Sequence, residues 1–477
     1  MHPQSWRRLQ ARRRFLSTCA LGLGNVALGH LLALEGRAVA TPRPGGGPLA
    51  PRAPQFAPRA KSVIFIFTEG GPSQFELFVP KPEMRKWDGK PLPESLARGL
   101  GDKLAFIKPT AHVWASPRTF TRHGQCGTAF SDWLPHTATC ADDLCMIHSV
   151  VTDQFNHSTA QMMLHCGTPL TGRPSLGSWA VYGLGSESQG LPAFVVMGRP
   201  TPSTGKVWSS GFLPSTFGGV PFMNKGAPVP YLSRPDGVSA EAQRDRVGAI
   251  RALSEADYEA TGEPEILARL ASYELAFRMQ SAAPELMDLS RESATTQEMY
   301  GVGRKPTGEF GAQCLLARRL IERGVRFVLL VSPGWDHHRD LLKQLKANCD
   351  RDDRPVAALF KDLKRRGLLD TTLVVWGGEF GRTPLADDDG TQPGGRDHHP
   401  FSFTMWLAGG GVPGGRVVGR TDDFGVHPVE DPVPVHDLQA TILHLLGLDH
   451  ERLTYRTRGR DFRLTDVGGR VVPKLIV

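Results

Sequence analysis

Ser62-Val63-Ile64-Phe65-Ile66-Phe67-Thr68, followed at once by Glu69-Gly70-Gly71-Pro72-Ser73, is the stretch on which the fold turns. A half-exposed strand alternates apolar and polar residues. A continuous apolar run of seven residues, stopped by Gly-Gly-Pro, predicts instead a strand covered on both faces, as in a parallel sheet. Runs of the same kind recur at Leu144–Val151, Ala193–Met197, Val325–Val331, Thr371–Trp376 and Phe403–Ala408. Between them lie helical patterns. Phe310, Cys314, Leu315, Ala317, Leu320 and Ile321 fall at helical spacing before Gly324, and Val356–Arg366 stops at Gly367. This alternation predicts an α/β fold: a mostly parallel, doubly wound sheet with helices on both faces.

The interval between the third and fourth runs differs. Residues 198–237 are rich in Gly, Pro and Ser, and residues 239–300 read as two or three charged helices. Residues 198–307 are therefore expected to form a loop and helical cap inserted into a domain spanning 61–477. Ahead of that domain, residues 41–60 carry six prolines without periodicity and read as a linker. Residues 12–40 run from Arg12-Arg13-Arg14-Phe15-Leu16 through a mildly apolar stretch to Ala38-Val39-Ala40. That layout is a secretory signal over 1–40, and its arginines followed by Phe-Leu point to the twin-arginine export route. The expected location is the periplasm or cell envelope, with no membrane span in the mature chain.

The composition agrees with a globular protein: 477 residues, 40% hydrophobic and 22% charged. The formal charge of +8 is largely local, because residues 1–40 hold six Arg against one Glu. The +3 left over is not clustered in any Lys/Arg block, which excludes nucleic acid as the leading partner. None of the seven cysteines forms a Cys-x-x-Cys pair, so a zinc ribbon or thioredoxin-type site is not expected.

Chemistry-bearing residues gather after the strands. Glu69 and Glu76 follow the first; Asp153, Asn156 and His157 follow the second. Asp336-His337-His338 follows the fourth and Glu379-Phe380-Gly381-Arg382 the fifth, while Arg396-Asp397-His398-His399 precedes the sixth. In a parallel sheet the carboxyl ends of the strands open on one edge. Chain-distant carboxylates and imidazoles would therefore meet there, a donor set suited to one or two divalent ions such as zinc, manganese or calcium. Each residue alone reads more readily as a cap or turn former than as a ligand. Asp-His-His occurs twice, and a phosphoesterase of the Asp-His-His type is disfavoured because its single motif belongs near the domain start.

Gly124-Gln125-Cys126-Gly127-Thr128 precedes a helix-like stretch, Ala129–Cys140. Cys126, then Thr128, would be nucleophiles at a helix start, where free N–H groups lower a thiol pKa. The plainer reading of Cys126 is a small residue packing a turn. Arg382, Arg396 and Arg122 have the planar fork that grips phosphate or sulfate, or else serve in ion pairs.

Taken together, the twin-arginine leader, Glu69-Gly70-Gly71-Pro72-Ser73-Gln74, Asn156-His157, Gly334-Trp335-Asp336-His337-His338, Gly378-Glu379-Phe380-Gly381-Arg382 and Gly395-Arg396-Asp397-His398-His399-Pro400 resemble one known family. It is the exported bacterial family of domain of unknown function 1501, placed in the alkaline phosphatase/sulfatase-like superfamily. The resemblance implies a two-metal hydrolase of phosphate or sulfate esters, acting on a small anionic ester or a sulfated or phosphorylated polymer. By position it implies Glu69 as the first carboxylate, Cys126 as nucleophile, Asp336 and His338 as an Asp/His pair and His398 as the late imidazole. Asp397, Glu379, His157, Asn156, Glu76, His337, Arg396 and His399 complete the candidates. Where the superfamily carries Asp-His, this chain has Glu379-Phe380 and lacks an imidazole. Cys126 also lacks the Cys-x-Pro/Ala-x-Arg context of sulfatase maturation. The competing expectation is a catalytically degenerate binding or scaffold protein with a partner in the cell envelope.

Overall fold

The computed structural model describes residues 47–96, 111–198, 204–223, 228–230, 232–386 and 394–477. The signal segment 1–40 lies outside them. The apolar run becomes β1 (Ser62–Thr68), buried at all seven positions. The other runs become β2 (Cys145–Val151), β3 (Phe194–Gly198), β5 (Phe327–Ser332), β6 (Thr372–Gly377) and β7 (Phe403–Ala408). Three short strands complete the sheet: β4 (Val220–Pro221), β8 (Arg416–Val418) and β9 (Val433–Pro434). The order is β8-β2-β7-β6-β1-β5-β3-β4, with β9 also on β2.

β1 is central, flanked in parallel by β5 (Thr68 opposite Ser332) and by β6 (Phe67 opposite Gly377). β7 runs antiparallel between β6 and β2. This reversal has a consequence for the site, since the residues just before β7 reach the same edge as those just after β1, β2, β5 and β6.

Side chains alternate across β1. Ile64 and Ile66 join a core with Leu315 of α6 (Gly308–Glu322) and Leu359 of α7 (Leu341–Arg365). Val63, Phe65 and Phe67 join a second core with α1 (His157–Cys166), α2 (Leu176–Leu184) and α8 (Val435–Leu445). Two apolar layers, one per face, are why these strands show no polar alternation.

The segment between β4 and β5 forms α3 (Ala240–Thr261), α4 (Pro264–Met287) and α5 (Ala294–Tyr300). It is tied to the sheet helices by Arg318, whose buried guanidinium meets Glu292 at 2.7 Å and Asp362 at 3.0 Å. Tyr300 donates to the same Asp362 at 3.1 Å.

Two local expectations change. Residues 47–60 are not a free linker: Arg52 N–H donates to the Leu184 carbonyl at 2.8 Å, Gln55 to Gly447 at 2.9 Å and Arg59 to Leu445 at 2.8 Å. Nor does a helix begin at Ala129. Phe120–His123 and Thr128–Ser131 pair as an antiparallel hairpin, and only Thr137–Asp143 is helical, as a 3-10 turn. Gly124 (φ 68°) and Gly127 (φ 68°) supply the left-handed residues of the turn, and Thr-Ala-Phe-Ser continues as a strand.

Candidate metal centre

Four loops converge at the carboxyl edge of the sheet because two glycines permit them to touch. Gly70, just after β1, has φ 118°, and a Cβ there would lie 2.4 Å from the Asp336 backbone nitrogen. A Cβ on Gly395 would lie 2.1 Å from the His338 carbonyl carbon. The first contact seats the loop after β5 against the loop after β1. The second lays the segment before β7 across His338. A two-residue ribbon, His398 opposite Arg382, closes the arrangement.

At this junction His157, Asp336, His338 and His398 each aim one donor atom inward, and the four atoms lie within 4.8 Å of one another. Asp336 Oδ1 is 3.0 Å from His338 Nε2 and 3.3 Å from His398 Nε2, and Asp336 Oδ2 is 3.2 Å from His157 Nε2. His338 Nε2 and His398 Nε2 are 3.0 Å apart. A tetrahedral ion with bonds of about 2.0–2.1 Å requires neighbouring donors about 3.3 Å apart, so these spacings fit zinc-type coordination. Two ring nitrogens at 3.0 Å also need a proton or a cation between them. The chemistry of the donor set therefore fits a divalent ion. It is the single such group among the described residues.

The outer contacts fix how the imidazoles present themselves. His157 Nδ1 donates to Glu379 Oε1 at 2.7 Å, and His398 Nδ1 donates to the Phe155 carbonyl at 2.7 Å. His338 Nδ1 lies 3.9 Å from Asp397 Oδ1. With Nδ1 engaged outward, Nε2 faces the centre, the arrangement by which outer acceptors orient metal-binding histidines. Phe380 stacks on His398 with centroids 4.3 Å apart and lies 5.0 Å from His157, forming an apolar floor.

Electrostatics favour a cation. Burial opposes charge on His157, but Asp336 and Glu379 outweigh it and hold the imidazole pKa up at about 9. Burial likewise opposes ionisation of Asp336, yet hydrogen bonds from three imidazoles and the Arg382 charge hold it well below the usual carboxylate range. A metal ion would take the place of the proton on His157 Nε2.

The other candidates are placed as follows. Glu379 is fully buried, and its carboxylate accepts from His157, from the Gly70 N–H at 3.2 and 3.1 Å, and from Gln161 Nε2 at 3.1 Å. It holds His157 rather than facing the centre. Asp397 accepts from the His398 N–H at 2.7 Å, also outside the donor group. Glu69 is buried at the end of β1, where its N–H meets the Ser332 carbonyl and its carbonyl meets the Trp335 N–H; its carboxylate is not among the four donors. Asn156 is the N-cap of α1, accepting from Ser158 N–H at 3.2 Å.

Arg382 and Arg396 are not open oxyanion clamps, and Arg122 lies away from the four converging donors. Arg382 is buried and spends its donors on the Gly70, Gly71 and Arg396 carbonyls and on Asp336 Oδ1 at 2.6 Å. Arg396 is sealed against Glu76 at 2.7 Å, both fully buried, while Arg122 donates to the Gly127 carbonyl at 2.9 Å on the hairpin. His337 and His399 turn into the interior, where burial pushes each imidazole pKa down to about 4. Cys126 is exposed on the hairpin turn, its Sγ 3.2 Å from Thr128 Oγ1, and neither is one of the converging donors. Loss of the helix removes the physical basis for an activated thiol there.

Sequence reasoning missed Gln161, one helical turn after His157 and so on the same face. It also missed the anchor under the Asp336 loop. Arg351 Nη2 donates to Ser332 Oγ at 2.6 Å, Trp335 Nε1 to the same Oγ at 3.1 Å, and Asn348 Nδ2 to the Gly334 carbonyl at 2.6 Å. The spacing of Asn348 and Arg351 along α7 carried the only signal, and amphipathic helices often show such polar positions without function.

The outer position of Glu379 makes a prediction. Glu379→Gln is expected to weaken metal binding about 10–100-fold, the usual cost of losing an outer acceptor. Competition with a chromophoric chelator measures this, and unchanged affinity would show that Glu379 does not orient His157.

Comparison with solved structures finds a sulfatase from Pseudoalteromonas sp. (PsFucS1) at 12% identity and TM-score 0.35, covering 82% of this chain and 68% of that one. A magnesium-bound mutant of TAB5 alkaline phosphatase has 12% identity and TM-score 0.32, covering 82% and 99%. A protein of the alkaline phosphatase superfamily from Vibrio parahaemolyticus has 9% identity and TM-score 0.32, covering 87% and 74%. Likeness at this level carries no functional assignment. No curated protein matches the chain. The match that does decide membership spans residues 60–476, and by it the chain belongs to the family described as Protein of unknown function (DUF1501).

Proposed function

We propose that this protein is an exported, metal-dependent hydrolase of phosphate or sulfate esters. The observation that carries the reading is the convergence of His157, Asp336, His338 and His398 at the carboxyl edge of the sheet. A divalent ion held by these four residues would supply Lewis-acid polarisation of an ester oxygen and acidify a coordinated water. The chain's own residues supply the frame. Arg382 fixes Asp336, Glu379 fixes His157 and is itself held by Gln161, the Phe155 carbonyl fixes His398, and the Phe380 ring stacks against His398 on one side. Export rests on the leader at residues 12–40, and among the described residues no helix is long and apolar enough to cross a membrane.

The test is metal analysis of the purified protein, followed by turnover of p-nitrophenyl phosphate and p-nitrophenyl sulfate before and after chelation. The expected result is bound divalent metal, with hydrolysis that chelation abolishes and zinc or manganese restores. Metal-free protein, or turnover that survives chelation, overturns the proposal.

A second reading has one observation in its favour. Four protein donors complete a tetrahedral shell, which is the pattern of structural zinc rather than of a catalytic site with an open position. A binding or scaffold protein of the envelope follows from that reading. It is favoured by stoichiometric metal, no turnover of either ester and a stoichiometric partner in envelope fractions.

A further inference from the structure

A cleft of about 770 Å³ opens at the lateral edge of the sheet, beside β2 and β8, and none of its lining residues is a donor of the metal centre. That volume suits an organic molecule rather than a bare ion, since small-molecule sites run from roughly 300 to 1,000 Å³. Its walls are apolar at Phe78, Val79, Pro80 and Val417. Five cationic side chains, Lys81, Arg122, Arg416, Arg420 and Lys474, face two carboxylates, Glu430 and Asp431.

The charges are not mutually cancelled. Arg420 pairs with Glu430 at 3.5 Å and Lys474 with Asp431 at 2.6 Å, which uses both acids. Arg122 and Arg416 each donate one hydrogen bond to a backbone carbonyl, of Gly127 and of Lys474, and form no ion pair among the described residues. Lys81 Nζ donates to the Thr421 and Asp422 carbonyls. Burial pushes its pKa down to about 8 against the opposing pull of the Asp422 and Asp423 carboxylates, so its charge lacks full solvation. A second cavity of about 430 Å³ shares Val79, Pro80 and Lys81 with the first, placing this lysine between two adjoining spaces.

The hairpin turn gives the cleft a fixed, accessible marker. Asp142 accepts from the Gln125 N–H at 3.0 Å and the Cys126 N–H at 2.9 Å, locking the turn. A Cβ on Gly415 would lie 3.1 Å from Cys126 Cβ, so the thiol adjoins the segment that carries Arg416. Cys126 is the one exposed free cysteine among the described residues.

We infer that this cleft is a second binding site, separate from the metal centre, for an organic molecule carrying sulfate or phosphate groups, gripped by Arg122, Arg416 and Lys81. Guanidinium forks match tetrahedral oxyanions, and the apolar walls accept the body that carries them. The inference does not depend on the chemistry proposed for the metal centre.

Protection of Cys126 from iodoacetamide, quantified on its own peptide by mass spectrometry, tests the site. Three probes are added in turn: sodium sulfate, a dextran sulfate oligosaccharide and unsulfated dextran of the same length. Either sulfated probe at four times its dissociation constant is expected to slow alkylation about fivefold. Protection by sodium sulfate identifies a free oxyanion as sufficient, and protection by the oligosaccharide alone identifies an oxyanion on a larger body; both support the site. The double variant Arg122→Gln, Arg416→Gln alters two exposed side chains and is expected to raise the half-protecting concentration about tenfold or more. Protection should persist in chelated protein. No protection by either sulfated probe, equal protection by unsulfated dextran, undiminished protection in the double variant, or loss of protection on chelation overturns the inference.

Discussion

Asp336→Asn is expected to abolish metal binding at the proposed centre. Asp336 is the one carboxylate among the four converging donors, and its two oxygens lie 3.0–3.3 Å from three imidazole nitrogens. An asparagine keeps the shape and still accepts from Arg382 through its amide oxygen, so the buried guanidinium retains a partner and the loop keeps its anchor at Ser332 and Gly334. What disappears is the negative charge that makes the site attractive to a divalent ion. Loss of an outer contact costs roughly 10–100-fold in affinity, and loss of a direct ligand is expected to exceed about 100-fold. Elemental analysis after dialysis should therefore show metal in the parent protein and essentially none in the variant, with any ester hydrolysis falling in step. Retention of stoichiometric metal by Asp336→Asn would mean that the four residues do not form the site.

Arg396→Met is expected to be the most destabilising of the substitutions considered. Arg396 and Glu76 are both fully buried and meet at 2.7 Å, with Arg396 also donating to the Trp114 carbonyl at 2.8 Å and the Thr383 carbonyl at 3.2 Å. The guanidinium lies over Phe75 and Trp114, 5.0 and 4.7 Å from the ring centroids. A methionine fills much of the volume but leaves Glu76 as a buried charge with Ser73 as its remaining side-chain partner. Breaking a buried pair from one side costs about 3–5 kcal/mol, because the surviving charge keeps its desolvation penalty. Urea unfolding of parent and variant measures the loss. Adding Glu76→Gln to Arg396→Met should recover part of it, whereas equal or greater loss in the double variant would show that the cost is one of packing and not of an orphaned carboxylate.

Both predictions concern residues whose roles the sequence shows unequally. Asp336 stands in Gly-Trp-Asp-His-His after an apolar run, and its arrival at the sheet edge follows from that position alone. Arg396 stands in a motif of the same appearance, Gly-Arg-Asp-His-His, and reads as an oxyanion clamp until its partner is known. That partner, Glu76, is 320 residues earlier in the chain. Likewise Phe380 reads as the loss of an imidazole, yet in the fold it stacks on His398 and supports the centre. Cys126 fails for a local reason: Gly124 and Gly127 favour a hairpin over the helix that its role required.

The strands, the sheet helices and the rim on which the polar residues gather were determined by the sequence alone. They rest on local physics: apolar runs demand burial on both faces, helical spacing repeats every few residues, and glycine ends helices. Which rim residues face the centre was decided only by tertiary structure. His338 and His398 turn inward while their neighbours His337 and His399 turn into the interior, and Glu379 serves His157 instead of presenting a donor. Adjacent loop residues are chemically alike in the sequence. Their side chains are sorted by close contacts between distant loops, at Gly70 against Asp336 and Gly395 against His338, which exist only once the chain has folded.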